Sequence, residues 1–538
     1  MRVLLVYANS NRELVPSPPV GLSYVASATR AAGHDVRFLD LLFSRTPGRE
    51  LRKAVRSFAP EVVGFSVRNI DNLVCQRVTR ELDDLAGLLA VVREESQAPI
   101  VLGGPAISIL GPRVLARLDA DFAVVGEGEE TLPRLLAALE AARGPGGLAT
   151  PVFGNRRPTA LAINGAEGKH QRSDVPGNET TGDSPTGHGT DGSEAGPGFA
   201  AVSGLCWRDR EAIRSTPPAP LARFGRSGMA EWIDWPAYER AGGTWAIQSK
   251  RGCPLGCMYC AYSATEGHGL RRRSAADVVD EIEDAMTRIS PRTFEIVDST
   301  LNVPAEHAME VCREIIRRRL KINLTAQGFN PLDVPDELFP LLKQAGFNAV
   351  MISPEAANDT MLSNLRKGFT MEHVRRTARL ARASGISCFW FFMLGGPGET
   401  QATVDETVSF VERELTWKGS ISLFMTGIRI LPGTDLAHRE IACGRLAADV
   451  DLSEPNFFLS PEVTEEWILN RINQAIGRHS NIAHAAEQGS SLLERLMDRA
   501  LNAAGVAPPY WRFLPVMLSF SPLRLLRKHF PALVGGRR

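Results

Sequence analysis

Twice along the chain, strand-length apolar runs alternate with amphipathic helical stretches, and this alternation limits the fold more than any other feature. A strand, a helix and a returning strand make a parallel pair, so repeated alternation means a parallel sheet with helices on its faces. The first series has runs at Arg2–Tyr7, Asp35–Leu39, Glu61–Val67, Pro99–Leu102 and Phe122–Val125. Gly21–Ala32 between them is amphipathic, and Gly33 stops it as a C-cap would. The second series has runs at Trp245–Ser249, Phe294–Val297, Ile322–Ala326, Ala349–Ser353, Cys388–Leu394 and Leu423–Ile430. Helical patterns such as Ala275–Ile289 and Met371–Ala383 lie between, so six repeats make either an open sheet or a partial barrel. Ligands of such sheets bind beyond the carboxyl ends of the strands.

Between the two series the composition changes. From Gly165 to Gly198 there is no aromatic residue, and Val175 is the only large aliphatic. Such a segment cannot bury enough apolar surface to offset its ordering entropy. Residues 144–200 are therefore expected to be a disordered insertion without a catalytic role, with His170 and His188 solvated. This divides the chain into an α/β domain (1–143), the insertion, a connecting segment (201–240), a second α/β domain (241–440) and a mostly helical C-terminal region (441–538).

Lys plus Arg and Asp plus Glu number 61 each, so net charge is zero. That balance excludes bulk electrostatic binding to nucleic acid, though not a local basic patch. Eight cysteines in 538 residues are too few for a disulfide scaffold and suggest a reducing compartment. The N-terminal apolar run Val3–Ala8 meets Asn9, Ser10, Asn11 and Arg12 at once, unlike a signal peptide. The best candidate for a membrane span, Phe389–Leu394, is only strand-length. A cytoplasmic protein is expected. The tail Tyr510–Arg538 carries six Arg and Lys and no acid, interleaved with Trp511, Phe513, Leu514 and other apolar residues. It suits either weak contact with an anionic membrane surface or acidic partner, or a helix packed on the second domain.

Three of the eight cysteines, Cys253, Cys257 and Cys260, fall within eight residues after the first strand of the second series. Three thiolates converging from one loop suit an iron–sulfur cluster, and on four irons they leave one iron open to a small molecule. Gly252, Pro254 and Gly256 fit a tight loop around it. The alternatives are a structural zinc completed by His268 and a disulfide. Cys75, Cys206, Cys312, Cys388 and Cys443 are scattered and read as small buried hydrophobes.

The CxxxCxxC loop with Tyr259 before its third cysteine resembles the radical S-adenosylmethionine superfamily, whose fold is a partial (β/α)₆ barrel. Further blocks agree: Phe294–Thr300 with the acidic second-strand segment, Ser353-Pro354-Glu355 with the fourth-strand motif, and Leu365–Gly368 downstream. Met393–Thr400 is similar to the family's "GLPGET" ending of the fifth strand, and Leu431–Thr434 to the "PGT" after the sixth. The Gly-Gly-Glu form of the amine-binding motif is absent, which leaves Asp298 as the candidate for the methionyl group. The resemblance implies cofactor contacts from Tyr259, Asp298, Gln327, Glu355 and Gly395.

The first domain resembles the Rossmann-like cobalamin-binding domain of one branch of that superfamily. The matching pieces are Pro18–Leu22, Val101–Pro105 and Val125–Glu129. Glycines at strand ends let backbone approach a ligand closely, so Gly103, Gly104, Gly126, Glu127 and Gly128 are candidate corrin contacts; a plain turn is the alternative. The cobalt-ligating DxHxxG motif is missing, and His34, the only histidine before His170, starts a strand at the wrong end of the sheet. The polar stretch Ser66–Asn72 stands instead at the right end. It is either a helix start capped by Asn69 or Asp71, or a corrin-binding stretch with Ser66, Asn69 and Asp71 as contacts and Arg68 under the ring.

The resemblance implies a cobalamin-dependent radical enzyme with a 4Fe–4S cluster, S-adenosylmethionine and cobalamin as cofactors, supplied by a reductant such as flavodoxin or ferredoxin. A 5′-deoxyadenosyl radical takes hydrogen from an unactivated carbon of a small molecule, and methylcobalamin delivers the methyl group. A non-methylating cyclase or rearrangement enzyme, and a non-catalytic cobalamin carrier, are the rival readings.

Overall fold

The computed structural model describes residues 1–10, 15–143, 198–209, 212–487 and 492–518. The expected disordered insertion, apart from residues 198–200, and the tail beyond residue 518 lie outside the described residues.

The first sheet joins β1 (Arg2–Tyr7), β2 (Asp35–Asp40), β3 (Val62–Ser66), β4 (Ile100–Gly103) and β5 (Phe122–Val124) in the parallel order β2-β1-β3-β4-β5. Val3, Leu5 and Tyr7 face one core while Leu4 and Val6 face another. A strand buried on both faces reads as an unbroken apolar run, which is why β1 was visible in the sequence. The segment expected to be a connector corrects the domain boundary. Its β6 (Leu205–Asp209) pairs antiparallel with β5, and β7 (Ala212–Ser215) pairs with β6. β5 has three residues, and without this hairpin it would leave a bare sheet edge.

The second sheet is parallel throughout. Its order is β8 (Trp245–Ile247), β11 (Phe294–Ile296), β12 (Leu324–Phe329), β13 (Phe347–Glu355), β14 (Ser387–Leu394), β15 (Ser420–Thr426) and β18 (Ile482–His484). β8 and β18 do not pair, so the barrel is partial. The seventh strand, β18, comes from the region expected to be mostly helical, whose described residues do hold the helices Glu465–Arg478 and Leu492–Ala503. The last expected run also breaks at Gly427, φ +78°, into β15 and β16 (Ile428–Arg429), which pairs with β17 (Phe457–Phe458). A ribbon of β9 (Lys250–Arg251) and β10 (Arg271–Arg272) stands beyond the end of β8. Phe389, Ile421 and Leu423 form a separate apolar cluster with Trp511, which meets Phe389 edge to face at 5.2 Å. The start of the tail thus packs on the barrel. Among the described residues no helix is long and apolar enough to cross a membrane.

Of the scattered cysteines, Cys206, Cys312 and Cys388 are buried as expected, and burial pushes the Cys206 and Cys312 thiols up to about 12. Cys75 is only half-buried and Cys443 is exposed, where the helix Asp435–Ala442 ends. Both correct the expected core role.

The loop after β3 reaches the second domain. Asp71 and Arg429 form an ion pair at 2.7 Å with side chains almost wholly buried. The guanidinium also donates to the carbonyls of Ile430 and Leu452. Arg429→Met leaves Asp71 charged and buried, and is expected to destabilise the protein by about 3–5 kcal/mol. Denaturant unfolding of Arg429→Met and of the double variant Asp71→Asn/Arg429→Met checks this. The double variant should recover part of the loss, and equal losses would refute the account.

Candidate functional site

The carboxyl ends of β1, β3, β4 and β5 face the carboxyl ends of β8, β11 and β12 across a cavity of about 280 Å³. On the first-domain side it is lined by Tyr7, Ser66, Arg68, Gly103, Gly104 and the stretch Gly126–Glu129. The strand order reverses between β1 and β3, and such switch points open a crevice at strand ends. Gly104 has φ +99°, and a Cβ there would lie 2.6 Å from the Val67 carbonyl oxygen. Only glycine lets this backbone turn so close to β3.

Arg68 is exposed to the cavity and donates to Ser17 Oγ at 2.6 Å. Asn69 and Asp71 are absent from the lining. The Asn69 amide points to Glu81, and Asp71 is turned to Arg429. Nor do they cap a helix. Asp71 accepts the Leu73 N–H in a tight turn, and the next α-helix begins only at Glu81. His34 is buried beside the chain's amino group and Glu140, at the start of β2. The Glu127 carboxylate is not open to a ligand: it takes Arg251 at 2.9 Å, Arg271 at 2.5 Å and the Leu221 N–H at 2.6 Å.

On the barrel side the cavity is lined by Gln248, Arg251, Tyr262, Glu266, Glu295 and Gln327. Asp298 sits elsewhere. Its carboxylate is wholly buried and accepts the Ser249 and Lys250 N–H groups at 2.7 and 3.1 Å, the Ser249 hydroxyl, and Lys250 Nζ at 3.3 Å. All its capacity goes into the turn that leads to the cysteine loop, which corrects its assignment to the methionyl group. Glu295, left out of the sequence candidates, faces the cavity and accepts from Thr244 and, at 2.6 Å, from Gln327. Burial pushes its carboxyl above the ordinary value, against those two hydrogen bonds and the Arg68 charge.

The cysteine loop leaves β9 through Gly252, φ +89°, where a Cβ would lie 2.1 Å from the Gly269 carbonyl oxygen. Gly252 N–H donates to Glu266 at 3.0 Å and Cys253 N–H to the Gly267 carbonyl at 3.1 Å. Cys253, Cys257 and Cys260 are free and half-buried. Burial raises the Cys253 thiol and pushes that of Cys260 up to about 11, while the Leu255 and Tyr262 N–H groups act the other way. His268, the fourth ligand of the zinc alternative, is exposed with its ring against the Cys253 carbonyl at 3.2 Å. Among the described residues no three ligand groups are placed to hold a single metal ion. Three free thiols on one wrapped loop, with backbone N–H groups aimed at two of them, fit a cluster held at three corners.

Beside the loop stands a residue missing from the sequence candidates. Lys367 is buried, donates to the Tyr259 hydroxyl at 3.0 Å and lies 3.7 Å from Glu355. The signal was the block Leu365–Gly368, whose cation was not assigned a role. Glu355 ends β13 at φ +69°, a strained value for a non-glycine residue that recurs at functional sites. Gly395 is buried beneath Leu459, and its N–H and that of Gly396 donate to Glu399 at 2.8 and 3.1 Å.

Comparison with known proteins follows the same division. Residues 247–411 match the Radical SAM superfamily and residues 14–136 the B12 binding domain. The tryptophan 2-C-methyltransferase of Streptomyces laurentii is 27% identical over 457 residues, 80% of this chain and 73% of that protein. The anaerobic magnesium-protoporphyrin IX monomethyl ester cyclase of Rubrivivax gelatinosus is 25% identical over 76% of this chain and 65% of its own. A radical S-adenosylmethionine methyltransferase of Kitasatospora setae, solved with cobalamin and a 4Fe–4S cluster bound, shares the fold with a TM-score of 0.73. It is 21% identical, over 98% of this chain and 99% of that one.

Two outcomes are expected. Gly104→Ala should cost about 1–3 kcal/mol of backbone strain and weaken hydroxocobalamin binding at least tenfold; a titration showing unchanged affinity would detach this turn from the cavity's function. Burial pushes the Glu399 carboxyl up to about 7, against the Gly395, Gly396 and Thr403 donors. The folded state therefore keeps its proton to higher pH than the unfolded chain does. The stabilisation is complete below the ordinary carboxyl range and is lost as pH rises through about 7. Glu399→Gln should flatten the fall in unfolding free energy between about pH 5 and about pH 8, and identical slopes would refute it.

Proposed function

We propose, from the premise that this chain belongs to the radical S-adenosylmethionine superfamily and carries a B12-binding domain, that it methylates an unactivated carbon of a small molecule. The observation that carries this reading is the shared cavity. Strand ends of the B12-binding domain and of the barrel line one space, and Tyr262, two residues after Cys260, is part of its wall. When bound, the cluster and S-adenosylmethionine supply a carbon-centred radical, and cobalamin supplies the methyl carrier.

In this reading Cys253, Cys257 and Cys260 hold the cluster, and Tyr259, Lys367 and Glu355 order the loop beside it. Gly103, Gly104, Gly126 and Gly128 give backbone that a corrin can approach closely. Arg68 lines the cavity and offers no lone pair, so it would act on a bound corrin through its fixed positive charge and not as a metal ligand. The protein works in a reducing cytoplasm, where flavodoxin or ferredoxin delivers electrons, and it needs no nucleic-acid partner. Similarity to the magnesium-protoporphyrin cyclase supports a second reading, ring closure without methyl transfer.

Anaerobically prepared protein should carry about four irons per cluster, and replacing the three cysteines with Ala should abolish both iron and S-adenosylmethionine cleavage. Product mass then separates the readings. Each methylation adds about 14 mass units, whereas cleavage with no such gain would favour ring closure.

A further inference from the structure

The cavity and the cysteine loop are joined by an unbroken run of hydrogen bonds. At one end Glu127 and Glu129 flank Gly128, whose backbone lines the cavity. Arg251 bridges both carboxylates, at 2.9 Å and 2.6 Å, with its side chain only 5% exposed. The rings of Tyr24 and Phe224, at 4.6 and 4.4 Å from the guanidinium carbon, keep it there. Arg251 Nε donates to Gln248 Oε1 at 2.9 Å, and Gln248 Nε2 donates to Glu266 Oε1 at 2.8 Å. The other oxygen of Glu266 accepts the N–H of Gly252, the residue before Cys253, and the hydroxyl of Ser299.

Arg251 therefore meets the cysteine loop twice, once through its own backbone and once through Gln248 and Glu266. A shift of the Gly126–Glu129 turn moves a guanidinium that is nearly buried and held by both carboxylates. Arg251 loses one of its two carboxylates when either Glu127 or Glu129 moves, and its remaining hydrogen bonds pass the displacement on to Gln248.

We propose that this run couples the two sites, so that filling the corrin cavity tightens the cluster loop and loading the cluster tightens the cavity. Arg251, Gln248 and Glu266 are positioning residues for both. The proposal rests on the reading that the cavity takes cobalamin and the loop takes a cluster.

The test titrates full-length protein with hydroxocobalamin under anaerobic conditions, before and after cluster reconstitution. Wild-type protein should bind at least about fivefold more tightly once the cluster is loaded, the lower end of ordinary couplings between sites. Linkage requires cobalamin to raise cluster retention against a chelator by the same factor. Gln248→Leu and the isosteric Glu266→Gln should bring the ratio to about one, whatever they do to each affinity taken alone. Should Gln248→Leu not fold, Glu266→Gln decides. A wild-type ratio of about one overturns the coupling, as does a Glu266→Gln protein that keeps the wild-type ratio. Failure of both forms to bind cobalamin would instead remove the proposed function.

Discussion

Parallel strands leave their last carbonyls and the loops that follow at one edge of a sheet, and here the two sheets turn those edges toward a common cavity. Each side chain of the site owes its position to that constraint. Ser66 ends β3 and Arg68 follows it, Gly104 follows β4, and Gly126 follows β5. From the opposite side the cysteine loop follows β8 and β9, and Glu295 stands on β11. A ligand between the sheets is touched by several loops, none of which has to be long.

The boundary between the sheets carries buried charge pairs as well as the apolar core, which runs from Val3 and Phe122 through Trp235 and Tyr238 to Trp245. Arg251 with Glu127 and Glu129, Arg271 with Glu127, and Arg429 with Asp71 all cross it. Such pairs contribute little net stability, because desolvation consumes most of the attraction, but a wrongly docked arrangement leaves them unpaired. That suits an enzyme in which two cofactor sites must keep a fixed relation. Apolar contact alone is non-directional, whereas the Asp71–Arg429 pair at 2.7 Å fixes one register.

The main strands were legible because burial on both faces writes itself as continuous apolar sequence; β1 and β5 are examples. β18 was not, since Ile482-Ala483-His484 is three residues long and gains its place only by pairing with β15. β6 and β7 were missed for a related reason: a stretch of more than fifty residues separates them in sequence from the sheet they complete. At the site, glycine turns and the cysteine spacing could be read because they are local. Asp298 and Asp71 misled because a carboxylate's partner lies far away in sequence. Each looked like a free ligand group and is committed to a cation or to backbone N–H groups.

The balance of charge inside the cavity follows from the same burial. Arg68 and Glu295 act on one another across it. An ionised Glu295 would offset much of the guanidinium's field, but desolvation raises its carboxyl toward the neutral form, and Thr244 and Gln327 only partly oppose this. A carboxyl raised in this way offsets less of the Arg68 charge than an ordinary carboxylate would. One elementary charge at roughly 4–6 Å in a partly buried site is worth a few kcal/mol. In the proposed function that charge would favour the less positive state of a metal held in the cavity.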